Sequence, residues 1–372
     1  MKKPTNHSGK IRYAVVGLGH IAQNAVLPGF FHARKNSVLA ALISEDPAKL
    51  RQLSKKYGVE DCFSYKDYDV CLRSGLIDAV YVALPNNLHL DYCVRAAKAG
   101  IHVLCEKPLA VTEDECQKII KACAENKVKL MTAYRLHFER GNLEAVNLIR
   151  SGKIGEPRIF NSVFTMQVKS GNIRTQGEHA GGTLYDIGVY CINAARYLFA
   201  DEPTEGFGYS ATNDDPRFLG VEEMTGAMLR FPGQRLAGFT TSFGAGATSG
   251  FEVIGTKGRV RAVQAYDYAL PVVLEVTVGG RMQKKTYGVR DQFGPEVFYF
   301  SDCIRRDRQP EPSGLEGLVD VHIIRSLYDS MKWNRPVKMK QLNRRRRPSM
   351  RQEIHRPAVA PPRLVHVSPP AE

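Results

Sequence analysis

The 372-residue sequence contains no apolar run approaching the roughly 18 residues that a membrane-crossing helix needs. It shows no internal repeat. Its eight cysteines (Cys62, Cys71, Cys93, Cys105, Cys116, Cys123, Cys191 and Cys303) form neither a Cys-x-x-Cys pair nor a zinc-like spacing. Several sit in apolar, periodic stretches, where a thiol behaves as a small hydrophobe. They read as buried structural thiols in a reducing compartment, and no metal site is expected. A secretory leader is not expected either. The apolar stretch after Lys2 and Lys3 is interrupted by Arg12 and contains Gly17 and Gly19, a strand and turn rather than a leader. The expected location is cytoplasmic.

What is present is ordinary in bulk. Hydrophobic residues make up 43% and charged residues 24%, near the globular average, so a wholly disordered chain is excluded. At roughly 100–200 residues per domain, two domains are expected. The net charge of +14 invites a nucleic-acid reading, but residues 337–372 hold nine basic and two acidic side chains, half of that surplus. The run Arg344–Arg347 reads as a solvated tail rather than a nucleic-acid site. The tail is rich in proline and has little periodicity, so residues 338–372 are expected to be disordered.

Residues 11–150 alternate between short apolar runs and helical patterns. IRYAVVG (11–17), VLAALIS (38–44), DAVYVALP (78–85), HVLCEKP (102–108) and KLMTAY (129–134) read as strands buried on both faces. Between them lie helical patterns with recognisable ends: one stops at Gly58, one at Gly100, and one starts at Thr112 with Glu115 three residues on. Strand–helix alternation of this length implies a parallel, doubly wound sheet. After residue 155 the pattern changes to strands joined by short turns, among them FPGQ (231–234) and GTKG (255–258), which implies a mostly antiparallel sheet. Helices are expected near 182–199, 295–306 and 315–333.

Gly17, Gly19 and Ala22 form a G-x-G-x-x-A pattern between the first strand and the first helix. The first glycine permits a tight turn, the second lets a pyrophosphate approach, and the small third residue lets helix and strand pack closely. The helix start, with His20 and Ile21, offers backbone N–H groups to phosphates. The strand–turn–helix context makes this a dinucleotide site. An NAD enzyme usually places an acid at the end of the second strand. Here Ser44 stands there, with Lys49 one turn on, which favours NADP over NAD. Glu45 and Asp46 blur that signal, or else simply favour the start of the next helix.

The segments PNNLH (85–89), CEKP (105–108) and YRLHFE (134–139) end parallel strands, where open α/β sheets bind their ligands. Pro85, Asn86, His89, Glu106, Lys107 and Arg135 are therefore candidate cofactor contacts, and Tyr134 a candidate substrate contact. In AGGTLYDIGVYCINAARYLF (180–199), Asp186 and Tyr190 are four apart and share a helix face. Oxidising an alcohol by hydride transfer requires loss of its hydroxyl proton. A tyrosine can take that proton if an ammonium lowers its pKa from about 10. Lys107 could be that ammonium, and Asp186 could hold Lys107 or a sugar hydroxyl. From spacing alone an Asp–Tyr pair on a helix is more often a structural feature. Arg174, Tyr266 and Tyr268 are further candidate sugar contacts.

On the set GLGHIA, LPNNLH, CEKP, YRLHFE and GGTLYDIGVY, the sequence resembles the glucose–fructose oxidoreductase, inositol dehydrogenase and MocA family from about Ile11 to Val337. Its wording is nearest the glucose–fructose oxidoreductase branch. The resemblance implies Lys107, Asp186 and Tyr190 as the catalytic set and NADP as cofactor. It implies an N-terminal Rossmann domain (11–134, after an extension at 1–10). An α/β domain with a large, mostly antiparallel open sheet follows (135–337), and its sheet is covered by a second subunit in a homodimer or homotetramer. The implied activity is hydride transfer between NADP and C1 of an aldose or a sugar carbonyl, with an aldose–ketose or aldose–aldose oxidoreductase that retains its cofactor as one form of it. A catalytically silent sugar-sensing regulator on the same fold is the alternative. The basic tail has no counterpart in the family pattern.

Overall fold

The computed structural model describes residues 9–342 and 347–371. Arg344, Arg345 and Arg346 of the basic run lie outside the described residues. The chain forms two compact units.

The first unit is built on a six-stranded sheet of β1 (Ile11–Val16), β2 (Ser37–Ile43), β3 (Asp61–Phe63), β4 (Ala79–Val82), β5 (His102–Glu106) and β6 (Leu130–Ala133). The strand order is β3-β2-β1-β4-β5-β6, and every pairing is parallel. Tyr13–Val16 and all of β4 are buried, as their unbroken apolar composition requires. Local signals set the helix ends. Helix α1 (Leu27–Ala33) continues a π turn at Ala22–Val26. In α2 (Pro47–Tyr57), Asp46 caps the amides of Ala48 and Lys49, and Gly58 ends the helix at φ +65°. Helices α3 (Tyr68–Arg73) and α4 (His89–Lys98) follow. Thr112 and Glu115 form a reciprocal capping box at α5 (Glu113–Glu125).

The second unit contains α6 (Arg140–Arg150), α7 (Val189–Phe199) and a nine-stranded sheet. Its strands are β7 (Pro157–Thr165), β8 (Glu205–Ala211), β9 (Met224–Phe231), β10 (Arg235–Ser242), β11 (Thr248–Gly255), β12 (Gly258–Val263), β13 (Val272–Val278), β14 (Arg281–Tyr287) and β15 (Val337–Lys338). The order is β14-β13-β12-β11-β7-β10-β9-β8-β15, antiparallel except for β7 against β10. Both expected hairpins are present, FPGQ between β9 and β10 and GTKG between β11 and β12. A buried polar network ties the helices of this unit together. Arg196 is fully buried between Glu202 and Asp320, and Asn193 links Asp320 to His137.

Two expectations are corrected. The second domain was expected to run unbroken from 135 to 337, but residues 290–317 belong to the first unit. They carry α8 (Phe293–Arg305), which crosses α1 closely: a Cβ on Gly29 would lie 2.7 Å from the Gly294 amide nitrogen. The Tyr13 hydroxyl meets Ser301 Oγ at 2.7 Å, and Asn36 donates to the Phe298 carbonyl at 2.9 Å. The last helix, α9 (Gly314–Trp333), follows. The tail was expected to be disordered from 338, yet its described residues are placed. Residues 354–369 join the first unit, while Arg140 pairs with Glu353 and Arg347 with Glu202 within the second. The tail lacks an apolar period, and hydrogen bonds and ion pairs to the folded body hold it instead.

Candidate active site

In the first unit the expected cofactor residues all fall at the carboxyl edge of the parallel sheet. Going across the sheet, Ser44 ends β2, Gly17 and Gly19 end β1, Pro85 and Asn86 follow β4, Glu106 and Lys107 end β5, and Tyr134 and Arg135 follow β6. The strand order reverses between β1 and β4, the switch point at which such sheets bind dinucleotides. Gly17 has φ +92°, and a Cβ there would sit 2.4 Å from the Ala83 carbonyl oxygen. Glycine is demanded by the protein itself at that position. Gly19 differs, since a Cβ there would meet nothing within 4 Å among the described residues. Its small size leaves open space beside the turn, which fits a dinucleotide pyrophosphate. The first helical bond runs from the Gln23 amide to the Gly19 carbonyl at 3.1 Å, so Gly19–Ala22 form the opening turn that includes His20 and Ile21. Amides in such a turn have no carbonyl further back in the helix.

The acids beside Ser44 are occupied by the protein. Glu45 accepts the Tyr65 amide at 2.7 Å. Asp46 caps α2 and pairs with His366 at 2.9 Å, and these bonds hold its carboxyl below the usual range. Ser44 is buried, its Oγ accepting the Asp46 amide, and Lys49 lies in the first turn of α2.

His89 is corrected from a cofactor contact to a buried brace. Its two ring nitrogens lie 2.9 Å from the Pro108 carbonyl and 3.0 Å from the Leu84 carbonyl, and burial pushes its pKa down. It ties the loop after β4 to the turn after β5. Glu106 accepts the Tyr81 hydroxyl at 2.8 Å; burial raises its pKa against the opposing pull of Lys107. Arg135 is buried, donates to Gln292 and lies over Phe293. Sequence reading missed Glu296 of α8, fully buried with neither carboxylate oxygen hydrogen-bonded among the described residues. Burial, then the charge of Glu106, pushes its pKa well up. The only sequence signal was a lone acid inside the apolar run FGPEVFYF.

In the second unit the informative stretch begins with a π turn at Leu184–Gly188 that continues into α7. From Gly182 to Phe199 every residue is buried except Asp186 and Tyr190. The i, i+4 pair is thus the single polar opening in an otherwise internal segment. Arg174, twelve residues earlier, donates from Nε to Asp186 Oδ2 at 2.6 Å, while its carbonyl accepts the Gly182 amide at 2.9 Å. Asp186, expected to hold Lys107 or a sugar hydroxyl, pairs with Arg174 within this unit. Tyr190 packs edge-on against Phe164 at 5.6 Å and leans on Tyr266 at 6.0 Å. Tyr266 is corrected from a sugar contact to a core residue. It is buried, its hydroxyl meets Ser162 Oγ at 2.7 Å, and burial raises its pKa well above 10. Tyr268 is only half-buried. Sequence reading also missed Glu222, whose Oε1 accepts the Thr183 amide and hydroxyl and the Tyr328 hydroxyl at 2.8–3.0 Å. It anchors the start of the π turn from 39 residues away, a distance no local pattern reports.

Residues 11–134 match the oxidoreductase family with an NAD-binding Rossmann fold, and residues 142–261 match the C-terminal domain of the same family. The D-xylose 1-dehydrogenase [NADP(+)] of Haloarcula marismortui is 30% identical over 91% of this chain and 96% of its own. This chain belongs to the Gfo/Idh/MocA oxidoreductase family. Among solved structures, the aldose-aldose oxidoreductase from Caulobacter crescentus, complexed with glycerol, is 34% identical with a TM-score of 0.85, covering 89% of this chain and 100% of that one. A 3-ketoreductase from Actinomadura kijaniata in complex with NADP and TDP-benzene is 25% identical with a TM-score of 0.79, covering 86% and 98%. Membership bears out the expected doubly wound sheet followed by a mostly antiparallel one.

Proposed function

We propose that this family member is an NADP-dependent sugar oxidoreductase, moving a hydride between the nicotinamide and C1 of an aldose, or a sugar carbonyl in the reverse direction. The observation that carries the reading is the exposure of Asp186 and Tyr190 alone along a buried segment. Burying a helix on all sides and opening it at one Asp–Tyr pair has no packing advantage. The relatives named above, a D-xylose dehydrogenase, an aldose-aldose oxidoreductase and a 3-ketoreductase, support an enzyme over a sensor.

NADP would be held by the turn Gly17–Ala22, by Ser44 and Lys49 at its 2′-phosphate, and by Pro85, Asn86, Glu106 and Lys107 along the sheet edge. Bound there, it would supply the hydride acceptor. With Glu45 and Asp46 both occupied, Ser44 and Lys49 present a hydroxyl and an ammonium to the phosphate. Tyr190 takes the C1 hydroxyl proton as the C1–H bond breaks, giving a lactone. Lys107 supplies positive charge that favours the developing alkoxide. Asp186 and Arg174 position the sugar, and Phe164 and Tyr266 fix the Tyr190 ring so that its hydroxyl stays in place.

A screen of aldoses and ketoses against NADP, NADPH and NAD tests the reading. Tyr190→Phe should lower kcat about 10²–10⁴-fold with a smaller change in KM, as expected for loss of a general acid/base. Undiminished turnover overturns the assignment.

A second copy of the chain would cover the open face of the nine-stranded sheet, giving a homodimer or homotetramer. Ile159, Val163, Met224, Met228 and Leu236 are exposed there, and a depression of about 640 Å³ lined by Val163, Phe207, Tyr209 and Met228 lies on this face. Neither Asp186 nor Tyr190 lines it. A contiguous apolar face of this kind marks an interaction surface. All eight cysteines are free and seven are buried, which supports a reducing, cytoplasmic setting.

A further inference from the structure

The C-terminal segment touches the first unit at two kinds of place. Its anchor is Arg356, which donates to the His32 carbonyl at 3.0 Å and lies 5.2 Å over the Phe298 ring, next to Pro357, whose carbonyl accepts the Asp291 amide. Its far end is held at the sheet edge. Gln23, 1% exposed, accepts the Val365 amide at 2.8 Å and donates to the Val365 carbonyl at 3.0 Å. The same side-chain nitrogen donates to the Leu18 carbonyl at 2.8 Å, inside the glycine turn. One residue on, His366 pairs with Asp46 at 2.9 Å.

These two contacts are not scattered. Gln23 follows the turn at the end of β1, and Asp46 follows the end of β2, the neighbouring strand. They are the pyrophosphate turn and the corner where the adenosine ribose carries a 2′-hydroxyl or a 2′-phosphate. Between Arg356 and Val365 lie eight residues, including the adjacent Pro361 and Pro362. Proline restricts this stretch, so little chain entropy is lost when the end latches. A tail that merely filled space would not place a two-bond amide pair on the glycine turn and an imidazole on the Asp46 carboxylate beside the 2′-phosphate corner.

We propose that residues 354–369 are a clasp of the dinucleotide site: Val365 latches on Gln23 and slows cofactor release, and His366 engages the Asp46 carboxylate so that it does not oppose the 2′-phosphate. The clasp rests on the dinucleotide reading given above. It does not depend on which sugar is turned over. It assigns a role to a segment that has no place in the family pattern. The corner thus combines Ser44 and Lys49 with an aspartate held by a side chain of the tail.

The test uses the full chain, the His366→Ala variant and a chain ending at Arg356. NADPH and NADH binding and release are followed by nicotinamide fluorescence in stopped flow, with Tm measured alongside. Two latch hydrogen bonds of ordinary strength should slow NADPH release about five- to thirty-fold, so the shortened chain releases it faster by that factor. His366→Ala, a change at an exposed side chain, should shift the NADPH/NADH affinity ratio toward NADH by about two- to fivefold. Release and affinity ratio both unchanged, with or without a fall in Tm, would overturn the clasp and leave a tail that only stabilises the first unit. If the shortened chain does not fold, His366→Ala decides alone, an unchanged ratio overturning the proposal. Should the full chain prefer NADH, the NADP reading and the His366 role both fall, and the release rate from the shortened chain still decides the latch.

Discussion

The two glycines of the dinucleotide turn look equivalent in sequence, and the structure predicts opposite outcomes when each becomes alanine. At Gly17 the new Cβ would lie 2.4 Å from the Ala83 oxygen, 2.9 Å from the Ala83 carbonyl carbon and 3.0 Å from Leu84 Cδ2, at φ +92°. A left-handed conformation costs an L-residue about 1–2 kcal/mol, and overpacking a closed site about 1–3 kcal/mol more. Gly17→Ala should therefore lose about 2–5 kcal/mol, which for a unit of this size lowers Tm by about 4–20 °C. At Gly19 the new Cβ meets nothing within 4 Å among the described residues, and no left-handed backbone is imposed. Gly19→Ala should leave Tm unchanged or raise it slightly, by about 0.4–1 kcal/mol of unfolded-state entropy. It should nevertheless weaken NADPH binding at least about tenfold, because the methyl occupies the space left for the pyrophosphate. Differential scanning fluorimetry gives the first quantity and fluorescence titration the second. A Gly19→Ala protein that binds the dinucleotide as well as the parent would show that the open space is not the pyrophosphate site. A Gly17→Ala protein of unchanged Tm would refute the steric argument.

Glu296→Gln tests the buried acid behind the sheet. The folded state holds the Glu296 proton to higher pH than the unfolded chain does, because burial and Glu106 both raise its pKa. Stability in the parent is therefore fully present below the unfolded value of about 4.3 and falls as pH rises toward the folded pKa, by about 1.4 kcal/mol for each unit between the two. The variant cannot ionise, so its Tm advantage should be small at pH 4 and grow toward pH 8; an advantage that shrinks with pH would contradict this reading. Met228→Asp places a charge on the open sheet face and should convert the assembly to monomers in light scattering, whereas an unchanged mass would mean that this face is not the interface.

Much of the first unit was legible because its signals are local. A strand buried on both faces must be apolar throughout, as Ala79–Val82 is. A helix end needs a cap within a residue or two, as Asp46, Gly58 and Thr112 supply. Three strands of the second unit were not legible: β8, β14 and the two-residue β15. Strand β14 (RMQKKTY) is an edge strand with six exposed residues of seven, so no apolar alternation marks it. Strand β8 carries glycines where other strands carry apolar side chains. A Cβ on Gly206 would lie 2.5 Å from Met339 Cε, and one on Gly208 3.3 Å from Met331 Cγ. The space is already filled from elsewhere in the chain.

The candidate site divides along the same line. The sequence by itself determined the glycine turn, the residues at the strand ends and the shared face of Asp186 and Tyr190. Each follows from a period of two or 3.6 residues and from the stereochemistry of glycine. Only the tertiary structure decided that Arg174 holds Asp186, that His89 and Tyr266 are braces, and that residues 290–317 return to the first sheet. It also placed a charged, proline-rich tail against Gln23 and Asp46, some 320 to 342 positions away. A hydrogen bond depends on the separation of two atoms in space, and for residues so far apart in the chain no periodicity reports it.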